Sequence, residues 1–232
     1  MSKSVHPPGL TIPPGADELP SDDGVPLETN RHRLEMNLLC DALERLLASR
    51  RPDYFVGGNM FVYYSIAQAR DVAQGRRHFR GPDVFWVEGV ESGRLRNAWV
   101  SWEEGGRLPE VVIELLSSST ASIDRNEKKD LYGRVFRTAE YFLYDPDRQE
   151  LEGFGLKGQA YRPLRPDSQR RIGSERLGVS LGLWHGIVDG KEADWLRLYR
   201  PDGSLVPTSA ERAEAAEAEV ARLRVLLEGR GV

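Results

Sequence analysis

The amino-acid sequence predicts an α/β protein: a mixed sheet flanked by helices, with antiparallel hairpins at its margin and a separate C-terminal helix. Three observations carry this. Residues 28–50 repeat leucines at helical spacing. Two apolar runs, VVIELL at 111–116 and YFLY at 141–144, bracket a polar segment of helical character. Short apolar stretches broken by glycine turns then fill the chain to residue 200.

Residues 1–27 hold six prolines and little periodicity, and read as an extended arm. This arm has no apolar centre long enough for a signal peptide, and nowhere does the sequence show an apolar run of membrane-spanning length. The single cysteine, Cys40, sits in an amphipathic pattern and reads as a core residue, which together with the missing leader predicts a reducing, cytoplasmic setting. With 32 basic against 36 acidic residues the net charge is −4, so any anion-binding surface must be a local patch.

The domain proper is predicted over 28–200. Leu34, Leu38, Leu43, Leu46 and Leu47, with Cys40 or Ala42, define the first helix, and Thr29 or Asn30 is placed to cap it. YFVGGNMFVYYSI at 54–66 reads as two strands around Gly57-Gly58-Asn59 joined by a tight turn, or as one bulged strand. A basic segment, ARDVAQGRRHFRGP, delivers Asp83 at the head of the strand DVFWVEGV. NAWVSWEE reads as an alternating strand, and Gly105-Gly106 turns the chain into PEVVIELLSSST at 109–120. The serine run starts a helix over ASIDRNEKKDLYGRVF, and AEYFLYDP follows as a strong strand. ELEGFGL, AYRPL, LGLWHGIV and DWLRLYR are the marginal strands.

Residues 201–207 read as a linker and 208–232 as a helix by composition. Ala213, Ala216, Val220, Leu223 and Leu227 step by three and four, a short coiled-coil seam. A helix this short needs a partner surface. It either folds back on its own domain or associates with a second copy as a homodimer.

The chemistry gathers around Glu114, which interrupts an apolar run with the group that costs most to bury. Asp83 begins one strand and Glu114 lies inside another, so neighbouring strands would bring two carboxylates together, and Lys128 lies on the helix that follows. Like charges in such a place are relieved by a shared proton, a cation or a metal ion. Oxygen-only ligation suits Mg2+ or Mn2+, and an ammonium alongside can orient an attacking water or neutralise charge on a phosphodiester.

Simpler structural roles stand beside these. Asp83 can be a turn residue at a strand entry, Glu114 half of a salt bridge, and Asp124 with Lys128 a surface pair on a helix. Glu110 shares the strand parity of Glu114, as a further ligand or as a solvated strand-entry residue. His32 could approach the site or lie on the helix surface. Arg76, Arg77 and Arg80 could contact a nucleic-acid backbone or form a solvated loop.

The series Pro82-Asp83, then Pro109-Glu110 through Glu114 and Ser117, then Ser119-Thr120, Asp124, Lys128 and Tyr132, then Glu140-Tyr141 through Asp145-Pro146, resembles the Uma-type family of "putative restriction endonucleases" in the PD-(D/E)XK nuclease superfamily. The resemblance runs from about residue 28 to about residue 199. It implies a restriction-endonuclease-like core and divalent-metal-dependent hydrolysis of phosphodiesters, with DNA as the substrate. Asp83 matches the first metal-binding aspartate and Glu114 the second acidic residue; both would act as metal ligands and catalytic residues. The superfamily's lysine is expected two residues after Glu114, where this chain has Leu116. Lys128, four residues after Asp124, matches a lysine moved to the next helix, with Lys129 as the fallback. The rival reading keeps the nuclease core as a silent scaffold or interaction module that associates through the final helix.

Overall fold

A computed structural model describes residues 13–21, 29–74 and 81–228. Helix α1 (Asn30–Ala48) starts where Thr29 Oγ1 accepts the His32 N–H at 3.1 Å. Its leucine stripe, Leu39, Leu43, Leu46 and Leu47, is buried against one face of the main sheet. Each such leucine contributes about 1.5–3 kcal/mol.

That sheet has six strands in the order β1 (Tyr54–Gly58), β3 (Val84–Glu88), β5 (Val111–Leu115), β6 (Glu140–Asp145), β7 (Glu150–Lys157) and β8 (Ala160–Pro163). Only β5 and β6 run parallel; every other neighbouring pair is antiparallel. Its centre is buried on both sides, which is why β5 reads as a continuous apolar run. Val111, Ile113 and Leu115 face α1, while Val112 packs on the opposite side with Leu143, Tyr132 and Phe136. This alternation places the even-numbered residues of β5 toward the helical segment that follows it.

That segment runs from 121 to 136 as α3 (Ala121–Ile123), a wide π-type turn (Asp124–Lys128), α4 (Lys129–Leu131) and a second π-type turn (Tyr132–Phe136). In a pure α-helix, residues four apart drift around the axis by about 40° per step. Loosening the turns to longer hydrogen bonds offsets that drift and keeps Asp124, Lys128 and Tyr132 on one side. Arg137, at φ 60°, ends the run in a left-handed conformation.

A three-stranded antiparallel sheet, β9 (Ile172–Ser174), β10 (Val179–Val188) and β11 (Lys191–Tyr199), closes the α1 side of the core through Leu181, Leu196 and Leu198. Helix α5 (Ser209–Glu228) follows. None of its residues is buried, so the expectation that it folds back on its own domain fails beyond its first turn. No helix among the described residues is long and apolar enough to cross a membrane.

Three local expectations are corrected. The stretch 54–66 forms neither a hairpin nor one bulged strand, because β1 pairs with β3 while β2 (Val62–Tyr63) joins β4 (Trp99–Val100) in a separate parallel pair. Gly57 is needed for that arrangement: a Cβ there would stand 2.3 Å from the Phe85 ring. NAWVSWEE supplies only the two-residue β4. It then turns at once into a 3-10 turn (Ser101–Glu103), whose Ser101 carbonyl accepts the Glu104 N–H at 3.1 Å and the Gly106 N–H at 2.7 Å, local bonds in place of a ladder. The front of the basic segment is helix α2 (Ile66–Ala73), capped by Ser65 Oγ accepting from the Gln68 N–H at 3.1 Å. The described part of the arm packs on the domain: Leu19 is buried, and Pro14 O accepts the Trp102 indole N–H at 3.0 Å.

Candidate active site

Strands β3 and β5 pair antiparallel with Val84 opposite Ile113, so the next step of the register sets Asp83 beside Glu114. Both side chains leave the sheet on the face of the 121–136 helical segment, since Phe85 and Val87 share the parity of Asp83, and Val112 that of Glu114. Each carboxylate is tied to the other's strand. Glu114 Oε2 accepts the Asp83 backbone N–H at 3.2 Å, and Asp83 Oδ2 accepts the Leu115 N–H at 2.7 Å. The two bonds continue the ladder through side chains at the point where β3 begins.

Lys128 enters from the helical segment. Its Nζ stands 3.1 Å from Glu114 Oε2 and 2.8 Å from Asp124 Oδ1. The Tyr132 hydroxyl donates to the other Glu114 oxygen at 2.9 Å, and the Tyr141 hydroxyl donates to the Asp124 carbonyl at 2.9 Å. Glu114 is fully buried, and burial pushes its carboxyl well above the usual range, opposed by the Lys128 charge and the Tyr132 hydrogen bond. Burial also raises Asp83, again against Lys128. The surrounding carboxylates Glu114, Asp124 and Asp83 together outweigh desolvation at Lys128 and hold it firmly protonated.

The lysine anticipated two residues after Glu114 would face this same side. Leu116 instead fills that place, 1% exposed within the apolar cluster of Tyr132, Phe136 and Leu143. Lys128 supplies the amine there from a different element. Lys129 does not: its ammonium sits 3.3 Å over the Phe154 ring. Glu110 lies at the other end of β5 and pairs with Arg176 at 3.3 Å, so it takes no part in the site. Arg76, Arg77 and Arg80 lie outside the described residues.

Three participants carry little sequence signal. Asp124, 1% exposed, is no surface partner for Lys128 but its buried anchor. Tyr132 reads as a core aromatic, and only its hydroxyl shows its second role. His32 is buried with Nε2 2.6 Å from the Leu115 carbonyl, near enough that its charge counts among those lowering the Asp83 carboxyl. Beside it a cavity of about 380 Å³ opens along the end of β5, lined by Arg31, His32, Leu116, Ser117, Ser119 and Asp147. Neither Asp83 nor Glu114 lines this cavity.

Two carboxylates and no nitrogen or sulfur donor form a set suited to a hard ion that keeps several waters and takes further oxygens from a phosphate. The described residues hold no cluster of three or more His, Cys, Asp or Glu side chains placed to cage an ion by themselves. A carboxylate pair alone does not make a closed site, so any divalent ion held there would need solvent or substrate oxygens to complete its shell.

No curated protein matches the chain. Among solved structures, a "putative nuclease belonging to DUF820" from Anabaena variabilis aligns at 14% identity, covering 71% of this chain and 91% of that one, with a TM-score of 0.47. The family model described as "Uma2: Putative restriction endonuclease" matches residues 22–188, well over half of the chain. The chain therefore belongs to the Uma2 family of "putative restriction endonucleases".

Proposed function

We propose that this protein is a divalent-metal-dependent nuclease that hydrolyses phosphodiester bonds of DNA in the cytoplasm. The observation that carries the reading is the meeting of Asp83, Glu114 and Lys128 on one face of the sheet, with Lys128 Nζ 3.1 Å from Glu114 Oε2. Asp83 and Glu114 would hold Mg2+ or Mn2+, which when bound supplies a water of lowered pKa and stabilises charge on the phosphodiester. The chain's own residues prepare the rest. Tyr132 fixes the Glu114 carboxylate through Oε1 and leaves Oε2 directed at Asp83 and Lys128. Asp124 also holds Lys128, at 2.8 Å, so the ammonium would stay in place were Glu114 to hold a metal, where it would orient the attacking water or neutralise the developing phosphorane. Arg76, Arg77 and Arg80, shortly before Asp83 in sequence, are proposed to contact phosphates flanking the cleaved bond.

The test is cleavage of plasmid, linear duplex and single-stranded DNA with Mg2+ or Mn2+. Metal-dependent cleavage that disappears in both Asp83→Ala and Glu114→Ala supports the proposal. Wild-type protein inert toward all three substrates overturns it.

A second reading, from another class, is favoured by the exposure of α5: the chain associates with a copy of itself through that helix, whether or not the site is active.

A further inference from the structure

We infer that α5 pairs with α5 of a second copy in parallel and in register, as a two-stranded coil whose geometry is set by self-complementary charges. The inference rests on the second reading above. The helix is held to its own domain only at its start. Thr208 Oγ1 accepts the Glu211 N–H at 3.2 Å, and the Glu211 carboxylate accepts the Thr208 N–H at 2.7 Å, a reciprocal cap. The same carboxylate takes both arms of the fully buried Arg197 guanidinium, at 2.9 and 2.8 Å, and Ser209 Oγ donates to Asp41 at 2.6 Å. From Arg212 onward every described residue of α5 is exposed.

An isolated helix of this length is marginal in water, and this one also exposes apolar side chains, with Val220 at 47%, Leu223 at 45% and Leu227 at 70%. Those three, with Ala213 and Ala216, occupy the a and d positions of a heptad seam. The flanking g positions are then Arg212 and Glu219, and the flanking e positions Glu217 and Arg224. A parallel, in-register pair sets each g residue beside the e residue five further on in its partner. Arg212 meets Glu217, Glu219 meets Arg224, and symmetry repeats both, so every charged flanking pair attracts. Glu219 also binds Arg222 of its own helix at 2.7 Å, an exposed pair that can exchange for the interhelical one. The antiparallel arrangement centred on Val220 keeps Glu217 beside Arg224 but sets Glu219 against Glu219 and Arg212 against Leu226. The charges therefore favour a second copy of this chain, in parallel. Because the first turn is anchored, such a coil gathers both domains at one end about a two-fold axis, the symmetry that two antiparallel DNA strands present.

Sedimentation equilibrium of the full chain tests this. Wild type is expected at twice the chain mass, and Leu223→Lys, an exposed seam change, at the single-chain mass with its circular dichroism retained. Arg212→Glu puts a second carboxylate beside Glu217 and should weaken association by about tenfold or more, and Arg212→Glu/Glu217→Arg should restore it. In the antiparallel arrangement the outcome reverses: the single change does little, and the double change sets the arginine introduced at position 217 against Arg224. A wild type that stays at single-chain mass up to about 1 mM overturns self-association and the parallel register together. A dimer that the double change fails to restore overturns the parallel register alone. Neither result bears on cleavage, which the metal-dependence experiment decides.

Discussion

The Lys128 ammonium and the Glu114 carboxylate stand 3.1 Å apart, the lysine delivered by a helical segment and the glutamate by a buried strand. Within this chain each is the other's main reason for being tolerated: Glu114 is fully buried beside Asp83, and Lys128 is the cation that offsets both. The pair therefore has a stability signature as well as a chemical one.

Removing the cation alone should be costly. Lys128→Met is expected to lower the unfolding free energy by about 3–5 kcal/mol, because it strands a buried carboxylate. In Lys128→Met/Glu114→Gln only part of that loss should return in urea denaturation, since buried Asp124 and Asp83 still lack their cation, while cleavage stays at least about a hundredfold below wild type. A double variant as unstable as the single one would show that Lys128 stabilises by packing rather than by charge.

Tyr132→Phe deletes one oxygen and leaves Glu114 Oε1 without its donor. We expect a loss of about 1–3 kcal/mol in urea unfolding, with the sheet and helices intact by circular dichroism. Unchanged stability would mean that Oε1 finds water when the hydroxyl goes.

Glu35 supplies a pH dependence remote from the carboxylate pair. It is 1% exposed on α1, accepts the Leu196 N–H through Oε1 at 3.1 Å, and burial pushes its carboxyl up to about 8. Since the folded state holds this proton more tightly than the unfolded chain, stability is fully present below the ordinary carboxylate range and falls as pH rises toward about 8. Glu35→Gln should remove up to about 1.4 kcal/mol per pH unit of that slope. Identical slopes for the two proteins would place the Glu35 pKa in the ordinary range.

Glu211 joins α5 to the domain. Glu211→Ala leaves the Arg197 guanidinium, which is fully buried, without its carboxylate, and removes the reciprocal cap with Thr208. Glu211 is about one third exposed, so the cost should be about 2–3 kcal/mol, below that of a fully buried pair. Hydrogen exchange should quicken in the first turn of α5. Protection equal to wild type there would mean that Ser209 and Asp41 suffice to hold the helix.

Much of the architecture was legible because it is local. The leucine spacing of α1 and the β-branched run of β5 each declare their element without reference to anything distant. Where long-range pairing decides, the reading went astray. Val62 and Tyr63 look like the second half of a hairpin, yet they pair with Trp99 and Val100, nearly forty residues away, because β1 is already committed to β3. Trp99 through Glu104 alternates like a strand, yet its backbone bonds close within the segment.

The carboxylate pair divides along the same line. By itself the sequence determined that a glutamate interrupts a buried strand, that an aspartate heads another, and that a lysine follows on a helix. The ordered series of motifs determined the family as well. Only the tertiary structure decided that register and pleat turn Asp83 and Glu114 to one face, that Leu116 closes that face as core, and that Lys128 rather than Lys129 reaches it. It also decided that Asp124 is a buried anchor, that Tyr132 bonds the glutamate, and that α5 is exposed beyond its anchored first turn. The physical reason is that composition and periodicity report which side chains must leave water, whereas which charges meet once they have left is set by strand register and helix placement, and those are properties of the whole chain.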